Sequence, residues 1–257
     1  MNHPTNRFDM HYETHFGGRV IRCFQQRPVS VQAMLQSALE RNPDGDAFVV
    51  EGERVSYRQL ARRASRVAAA FHELGVRPGD RVALVLRNGP ALMYGLYGAL
   101  WLGAIAVPLN AREQGAGLGY IFSDCAPKVA IAEADLVQRL HDGGATKDLV
   151  ALFAAGGDAE GARPFEDLLG GADTRLPLAC PGQEDTAVLL YTSGTTGRPK
   201  GAMQTHLNIA HTVKLWEKSM DLRFAERSVL AVPGSHVTGL MGIIFTMAHM
   251  AGCTLIM

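Results

Sequence analysis

The sequence predicts an α/β fold in which helices flank a mainly parallel, doubly wound sheet. Short apolar runs typical of buried strands alternate with helical patterns along most of the 257 residues. The two longest apolar stretches, residues 91–109 and 237–257, contain no Asp, Glu, Lys or Arg. In the first stretch, glycines and a change from a helical to a strand pattern near Gly103 separate two elements. In the second, His249 and Gly252 interrupt the apolar run. Both are therefore predicted to be buried helix–strand units rather than membrane spans.

Composition limits the possible classes of function. The 25 basic and 25 acidic residues cancel, and the basic residues are scattered, which argues against a nucleic-acid surface. The four cysteines are far apart and form no CxxC pair, so free thiols are expected rather than a disulfide framework or a zinc site. These features predict a cytoplasmic protein. The cysteines are Cys23, Cys125, Cys180 and Cys253.

The first part of the chain is predicted to form helices around a hairpin. Residues 1–29 mix charges with no apolar core segment, so we expect a loosely ordered lead-in rather than a signal peptide. Ser30 caps the first helix, and Ser56 with Gln59 forms a capping box that starts the second, which ends at Gly75. The predicted elements are a helix over 31–39, hairpin strands over 48–50 and 54–55, and a helix over 57–74.

Strands and helices alternate in the rest of the chain. Residues 154–184 are rich in Gly, Asp and Pro and are predicted to form a linker-like connection with a short helix at 165–169. A strand over 187–191 and another over 201–204 follow, and Thr205 caps the next helix. The elements before the connection are strands over 81–86, 104–107, 129–132 and 149–153 and helices over 91–102 and 135–141.

Residues 191–201, with the sequence YTSGTTGRPKG, directly follow an apolar strand. The glycines let backbone NH groups approach an anion, the hydroxyls donate further hydrogen bonds, and Arg198 and Lys200 add positive charge. This composition predicts a phosphate-binding loop, whereas a shorter string would fit a mobile surface turn equally well. A Walker A loop is excluded, because Pro199 and Gly201 stand where that loop needs Gly and then Ser or Thr.

This string resembles the signature phosphate loop of the adenylate-forming superfamily, which comprises acyl-CoA synthetases, peptide-synthetase adenylation domains and luciferases. Three further segments resemble elements of that family in the same order, at residues 55–60, 102–110 and 120–128. The resemblance runs from Ser30 to Met257. It implies a lead-in at 1–29 and an incomplete N-terminal AMP-binding domain at 30–257, with layered α/β sheets flanked by helices.

The resemblance implies ATP-dependent activation of a carboxylic acid, with a fatty acid as the expected class. The carboxylate attacks the α-phosphate of ATP to give acyl-adenylate and pyrophosphate, and the thiol of CoA then displaces AMP. Magnesium is implied as a cofactor. Lys200 is the candidate catalytic cation that positions the departing pyrophosphate. The residues expected to hold the β- and γ-phosphates are Thr192, Ser193, Gly194, Thr195, Thr196 and Gly197.

Residues 232–240 lie where the family has a Pro-Leu-Phe-His element followed by a small helix. His236 matches the family histidine, which lies beside the acyl pocket and the adenylate, whereas Gly234 and Ser235 replace a bulkier pair. A lone histidine is more often a hydrogen-bonded core residue, but the matched position favours a functional one. His236 is therefore a candidate catalytic and pocket residue. Further pocket candidates are Thr238, Gly239, Met241 and Gly242.

No metal site is predicted from the histidines. His206 and His211 are five residues apart and so do not share a helical face as a metal-binding pair would. His206 follows the predicted cap Thr205, which indicates a capping or packing role.

Several family elements have no counterpart in these 257 residues. They are the Tyr-Gly-x-Thr-Glu element that binds adenine and magnesium, the ribose-binding Thr-Gly-Asp element, and the small C-terminal domain with its catalytic lysine. We therefore expect an N-terminal fragment that is inactive alone. Two other hypotheses stay open. One is a peptide-synthetase adenylation domain, although no Asp for an amino group lies between Ser235 and Met250. The other is a non-enzymatic nucleotide- or acyl-binding module that complements a second chain.

Overall fold

The structure is a computed structural model that describes residues 9–170, 176–192 and 198–257. The strands are β1 (Met10–His15), β2 (Arg19–Phe24), β3 (Asp46–Val50), β4 (Glu53–Ser56), β5 (Arg81–Val85), β6 (Ile105–Pro108), β7 (Val129–Glu133), β8 (Ala151–Ala155), β9 (Arg163–Pro164), β10 (Thr186–Thr192), β11 (Lys200–Thr205), β12 (Arg227–Leu230) and β13 (Cys253–Ile256). The helices are α1 (Val31–Arg41), α2 (Tyr57–Glu73), α3 (Pro90–Leu102), α4 (Gly115–Cys125), α5 (Val137–Asp142), α6 (His206–Ser219) and α7 (Thr246–His249). A π-helical segment, Thr238–Phe245, precedes α7.

The strands form two larger sheets and a separate hairpin. One sheet has seven strands in the order β11-β10-β6-β5-β7-β8-β9, and the other has four in the order β12-β13-β3-β4. All neighbouring strands of the seven-stranded sheet are parallel except β11, which is antiparallel to β10 at the edge. The parallel α/β prediction is confirmed, but the strands are divided between two sheets. Local patterns did not predict this division, because β3 pairs with β13 from the far end of the chain, with Phe48 opposite Thr254.

Helix α3 is buried, which explains its apolar sequence. A Cβ atom at Gly98 would lie 2.5 Å from Cγ1 of Val67 in α2, and one at Gly95 would lie 2.9 Å from Cδ2 of Leu84 in β5. The two glycines therefore let α3 pack closely against both α2 and the seven-stranded sheet. Among the residues that the structure describes, no helix has both the length and the apolar character needed to cross a bilayer.

The predicted helix starts are confirmed by their capping interactions. The hydroxyl of Ser56 accepts a hydrogen bond from the backbone NH of Gln59 at 3.2 Å, and the Gln59 side chain accepts one from the Ser56 NH at 2.8 Å. Ser30 and Thr205 likewise accept from backbone NH groups in the first turns of α1 and α6. These side chains satisfy NH groups that have no partner within the helix, which fixes where each helix begins.

The lead-in at 1–29 is more ordered than predicted, since residues 10–24 form the antiparallel hairpin β1–β2. Glu13, one of the charges that suggested a loosely ordered segment, is paired with Arg27. Both Nη atoms of Arg27 lie 2.6 Å from the carboxylate oxygens of Glu13. Arg27 also donates to the side chain of Gln183 at 2.7 Å, so this ion pair fixes the hairpin to the segment that precedes β10.

The predicted connection at 154–184 also contains regular structure. Strand β9 pairs with β8, and a 3₁₀ turn at Phe165–Leu168 takes the place of the predicted helix at 165–169. Both apolar ends of this turn, Phe165 and Leu168, are buried in the main core. The connection is thus attached to the seven-stranded sheet.

The sequence patterns did not predict α4 or β12. Helix α4 contains three glycines, and glycine is a poor helix former. The structure explains two of them: a Cβ at Gly119 would lie 2.0 Å from the carbonyl oxygen of Gly143, and one at Gly115 would lie 3.2 Å from that of Arg139. The glycines therefore allow α4 to contact the end of α5 through backbone atoms.

Candidate active site

A cleft of about 800 Å³ opens where the carboxyl ends of strands from both sheets meet. Residues that follow β5, β6 and β7 line one side of the cleft, and residues that follow β12 and β13 line the other. In open α/β folds, ligands bind in the crevice outside the carboxyl ends of the strands. This position makes the cleft the candidate substrate site. Its polar lining includes Asn88, Asn110, Arg112, Arg139 and Ser235.

Strands β10 and β11 form the hairpin that carries the predicted phosphate loop. Thr192 at the end of β10 lies opposite Lys200 at the start of β11, and both residues are exposed. Because β10 runs parallel to β6, the end of β10 and the start of β11 lie at the same edge of the sheet as the cleft. The structure therefore brings Thr192 and Lys200 together at this edge. The predicted phosphate ligands Ser193, Gly194, Thr195, Thr196 and Gly197 lie outside the described residues.

The segment that leads to His236 is held by Asn88, which follows β5. The backbone NH of Gly234 donates to Oδ1 of Asn88 at 2.7 Å, and Nδ2 of Asn88 donates to the carbonyl of Val232 at 3.0 Å. Gly234 is buried, and a Cβ there would lie 2.7 Å from Cδ2 of Leu92. The close contact explains why glycine replaces the bulkier family residue. Sequence reasoning missed Asn88, although a polar residue after the carboxyl end of a buried strand was a usable signal.

His236 is exposed at the start of a helical turn. Its backbone NH donates to the carbonyl of Pro233 at 3.0 Å, and its own carbonyl accepts from the NH of Leu240 at 2.8 Å. His236 does not line the cleft described above, but the preceding residue, Ser235, does. The predicted histidine is therefore placed at the border of the cleft rather than in the core.

The four other predicted pocket residues lie in the π-helical segment. Thr238 is exposed, whereas Gly239, Met241 and Gly242 are buried. A Cβ at Gly239 would lie 2.3 Å from the carbonyl oxygen of Pro233, and one at Gly242 would lie 2.8 Å from the indole ring of Trp216 in α6. Both glycines are thus required by close packing. None of the four lines the cleft, and their role in substrate binding stays a prediction.

Three arginines line the cleft, and acidic side chains neutralise the charge of one of them, Arg87. Arg87 binds Asp135 through two hydrogen bonds of 2.6 and 2.9 Å, and this interaction lowers the pKa of the Asp135 carboxyl below its usual value. Arg139 donates to the backbone carbonyl of Ala111 at 3.0 Å and so fixes the segment after β6. Arg112 is exposed, and among the described residues no carboxylate pairs with it. Arg112 is therefore the arginine in the cleft that is available to an anionic ligand.

The family model for the AMP-binding enzyme matches residues 35–257. The chain belongs to the AMP-binding enzyme family. Its curated relatives include the long-chain-fatty-acid–CoA ligase FadD13 of Mycobacterium tuberculosis, which is 35% identical over 225 residues, or 87% of this chain and 44% of the relative. They also include the feruloyl-CoA synthase of Amycolatopsis sp, which is 34% identical over 216 residues, or 84% of this chain and 41% of the relative. The chain thus spans less than half the length of these relatives.

A solved structure of a CoA ligase also matches this chain. The anthranilate CoA ligase AuaEII, solved in complex with anthranoyl-AMP, matches with a TM-score of 0.84 and 26% identity, over 89% of this chain and 45% of that chain. The match confirms that the two layered sheets are those of the N-terminal domain of an AMP-binding enzyme. The sequence resemblance to the adenylate-forming superfamily is confirmed with it.

His206 has the packing role that its position after Thr205 predicted. Its ring is buried, and Nδ1 accepts a hydrogen bond from the backbone NH of Val31 at 3.2 Å. Burial lowers the pKa of His206 to about 4, so the ring is neutral near pH 7 and its Nδ1 lone pair is free to accept. His206 thus satisfies an NH group at the start of α1.

Proposed function

We propose that the full-length gene product activates a carboxylic acid with ATP, forming acyl-adenylate and pyrophosphate, and then transfers the acyl group to the thiol of CoA. A fatty acid is the proposed substrate class. The observation that carries the proposal is the position of the two residues that flank the loop of the YTSGTTGRPKG segment. Thr192 and Lys200 lie opposite each other at the sheet edge where the cleft opens.

In the first step the loop acts on the phosphates that leave. The carboxylate oxygen attacks the α-phosphorus of ATP, and the bond to the bridging oxygen of the pyrophosphate breaks. Transfer of this kind is accelerated by preorganised donors and cations near the oxygens that gain charge. We assign Thr192 and the following loop to the β- and γ-phosphates. Lys200, exposed opposite Thr192, is assigned to the departing pyrophosphate.

His236 is proposed to contact the acyl-adenylate. The residue before it lines the cleft, and its ring is exposed rather than used in packing. Asn88 fixes the backbone that leads to it through two hydrogen bonds, at 2.7 and 3.0 Å. A ring held in this way can donate a hydrogen bond to an acyl or phosphate oxygen in the cleft.

Magnesium is the proposed counter-ion for ATP. Among the described residues, no group of three His, Cys, Asp or Glu side chains that could hold a metal ion lies beside the loop. Their one cluster of three metal-binding groups is Glu13, His15 and Cys23, on the N-terminal hairpin. His15 contacts Glu184, two residues before the start of β10, whereas the loop follows the other end of that strand. The full length of β10, about 20 Å at 3.3 Å per residue, separates the cluster from the loop.

The test is ATP–pyrophosphate exchange by the full-length gene product with a panel of fatty, aromatic and amino acids. We expect exchange with a fatty acid, and Lys200→Ala should lower the rate about 100-fold, the loss typical of one preorganised charge-stabilising group. Lys147→Ala, at an exposed lysine in the segment after α5, is the matched control. An unchanged rate in Lys200→Ala would refute the role of Lys200.

The same panel separates the other hypotheses. Exchange with amino acids alone would assign the protein to the peptide-synthetase class. Binding of ATP without exchange for any acid would indicate a non-enzymatic binding module. Exchange followed by AMP release only when CoA is added would establish both proposed steps.

A further inference from the structure

The hydroxyl of Tyr191, the penultimate residue of β10, donates a hydrogen bond of 2.5 Å to Oδ2 of Asp124 at the end of α4. Tyr191 is half-buried. Burial, followed by the hydrogen bond to Asp124, raises the pKa of the phenol far above its usual range. The phenol therefore keeps its proton and stays a donor at all physiological pH values.

The same tyrosine ring reaches across to β11. Tyr191 lies opposite Gly201, and a Cβ at position 201 would lie 3.0 Å from Cζ and 3.2 Å from the hydroxyl oxygen of Tyr191. The ring thus covers Gly201 in van der Waals contact. A larger residue at 201 would push the hydroxyl away from Asp124, so the glycine keeps both strands in contact with one ring.

A second contact joins α4 to the other side of the loop. The guanidinium carbon of Arg198 lies 5.8 Å from the centroid of the Tyr120 ring, within the range of a cation–π interaction. Tyr120 and Asp124 are four residues apart in α4 and so lie on the same face of the helix. One face of α4 therefore contacts the residues on both sides of the segment 192–197.

Helix α4 is itself firmly packed. Leu118, Ile121 and Phe122 are buried in the smaller core cluster, and the carbonyl of Cys125 at its end accepts from Nε of Arg81 at 2.6 Å. A helix held in this way can fix the position of what it contacts. None of the residues of α4 lines the cleft, so the helix is not itself part of the candidate substrate site.

We infer that Asp124 is a positioning residue for phosphate transfer. Through Tyr191 it holds both strands of the hairpin in the position that presents Lys200 to ATP, and Tyr120 supports the same arrangement through Arg198. The inference rests on the proposed function. A misplacement of about 1 Å in such a group can cost on the order of 100-fold in rate.

The test compares Asp124→Ala, Asp124→Asn and Tyr191→Phe with two controls, Asp167→Ala at an exposed ion pair and Tyr12→Phe at an exposed tyrosine. We expect Asp124→Ala and Tyr191→Phe to lower kcat for ATP–pyrophosphate exchange about tenfold while KM for the acid stays within about twofold. Asp124→Asn should retain most of the rate, because its amide oxygen still accepts from the phenol. The controls should match the wild type.

Backbone hydrogen exchange over residues 199–205 gives a readout that needs no activity. We expect it to rise about tenfold in Asp124→Ala and Tyr191→Phe, with unfolding midpoints close to that of the wild type. Unchanged hydrogen exchange over residues 199–205 in both variants would overturn the inference. So would an Asp124→Asn variant whose kcat for ATP–pyrophosphate exchange is as low as that of Asp124→Ala. A wild type with no pyrophosphate exchange would refute the proposed function instead, and the hydrogen-exchange comparison would still decide whether α4 anchors the hairpin.

Discussion

Replacing Glu217 by Gln should destabilise the protein in a way that depends on pH. Glu217 in α6 is 16% exposed and pairs with Lys214 on its own helix and with Nε2 of His249 in α7 at 2.8 Å. Burial raises the pKa of Glu217, but the hydrogen bonds from His249 and Lys214 outweigh it and lower the pKa from 4.5 to about 2. At 1.36 kcal/mol per pH unit, this difference corresponds to about 3 kcal/mol of stability.

The direction of the pH dependence follows from the lowered pKa of Glu217. The carboxylate contributes its full stability above pH 4.5 and loses it as the pH falls towards 2. Gln mimics the protonated carboxyl, so Glu217→Gln should cost about 3 kcal/mol at pH 7 and progressively less below pH 4.5. The measurement is urea unfolding of both proteins from pH 7 to pH 3, with Glu73→Gln on the exposed face of α2 as control. A cost below about 1 kcal/mol at pH 7, or one that stays constant down to pH 3, would refute the reasoning.

Two further predictions concern His206 and Asn88. The pKa of His206 is lowered from 6.5 to about 4. Between these two pH values the unfolded state takes up a proton that the folded state does not, so the wild type should lose about 3 kcal/mol of stability as the pH falls from 6.5 to 4. The free energy of unfolding in urea should not show this loss in His206→Gln but should show it in the control His72→Gln, at an exposed histidine. An equal pH dependence of stability in the two variants would contradict the prediction. Asn88→Ala removes the hydrogen bonds to Gly234 and Val232 and should lower kcat for ATP–pyrophosphate exchange about tenfold, whereas Gln138→Ala on α5 should not. Equal rates for Asn88→Ala and the wild type would show that the segment before His236 does not need this support.

The features predicted correctly from the sequence are those whose causes are local. Ser56 and Gln59 satisfy each other's backbone NH groups within four residues, so the start of α2 is fixed by its own sequence. The phosphate-loop string is also continuous in the chain, and strands were predicted directly before it, over 187–191, and directly after it, over 201–204. The structure has those strands as β10 and β11.

The features missed depend on contacts between distant parts of the chain. The charges of Glu13 and Arg27 suggest a loosely ordered segment until Gln183 is placed beside them. The glycines of α4 argue against a helix until Gly143 is known to lie against Gly119. In both cases a contact with a distant residue stabilises an ordered structure that the local sequence pattern argues against.

The same distinction applies to the candidate site. The proposed reactive residues, Lys200 and His236, belong to short motifs that the sequence shows directly. Asn88 and Asp124 contact the segments that carry them but lie far away in the sequence, and sequence patterns did not single them out. Asn88 contacts residues near 234 through two hydrogen bonds, and Asp124 contacts Tyr191 through one. Such supporting residues act only after the sheets have formed, because β5, α4 and the hairpin must first lie side by side. The precision of the site therefore depends on tertiary packing, and variants at Asn88 and Asp124 measure that dependence directly.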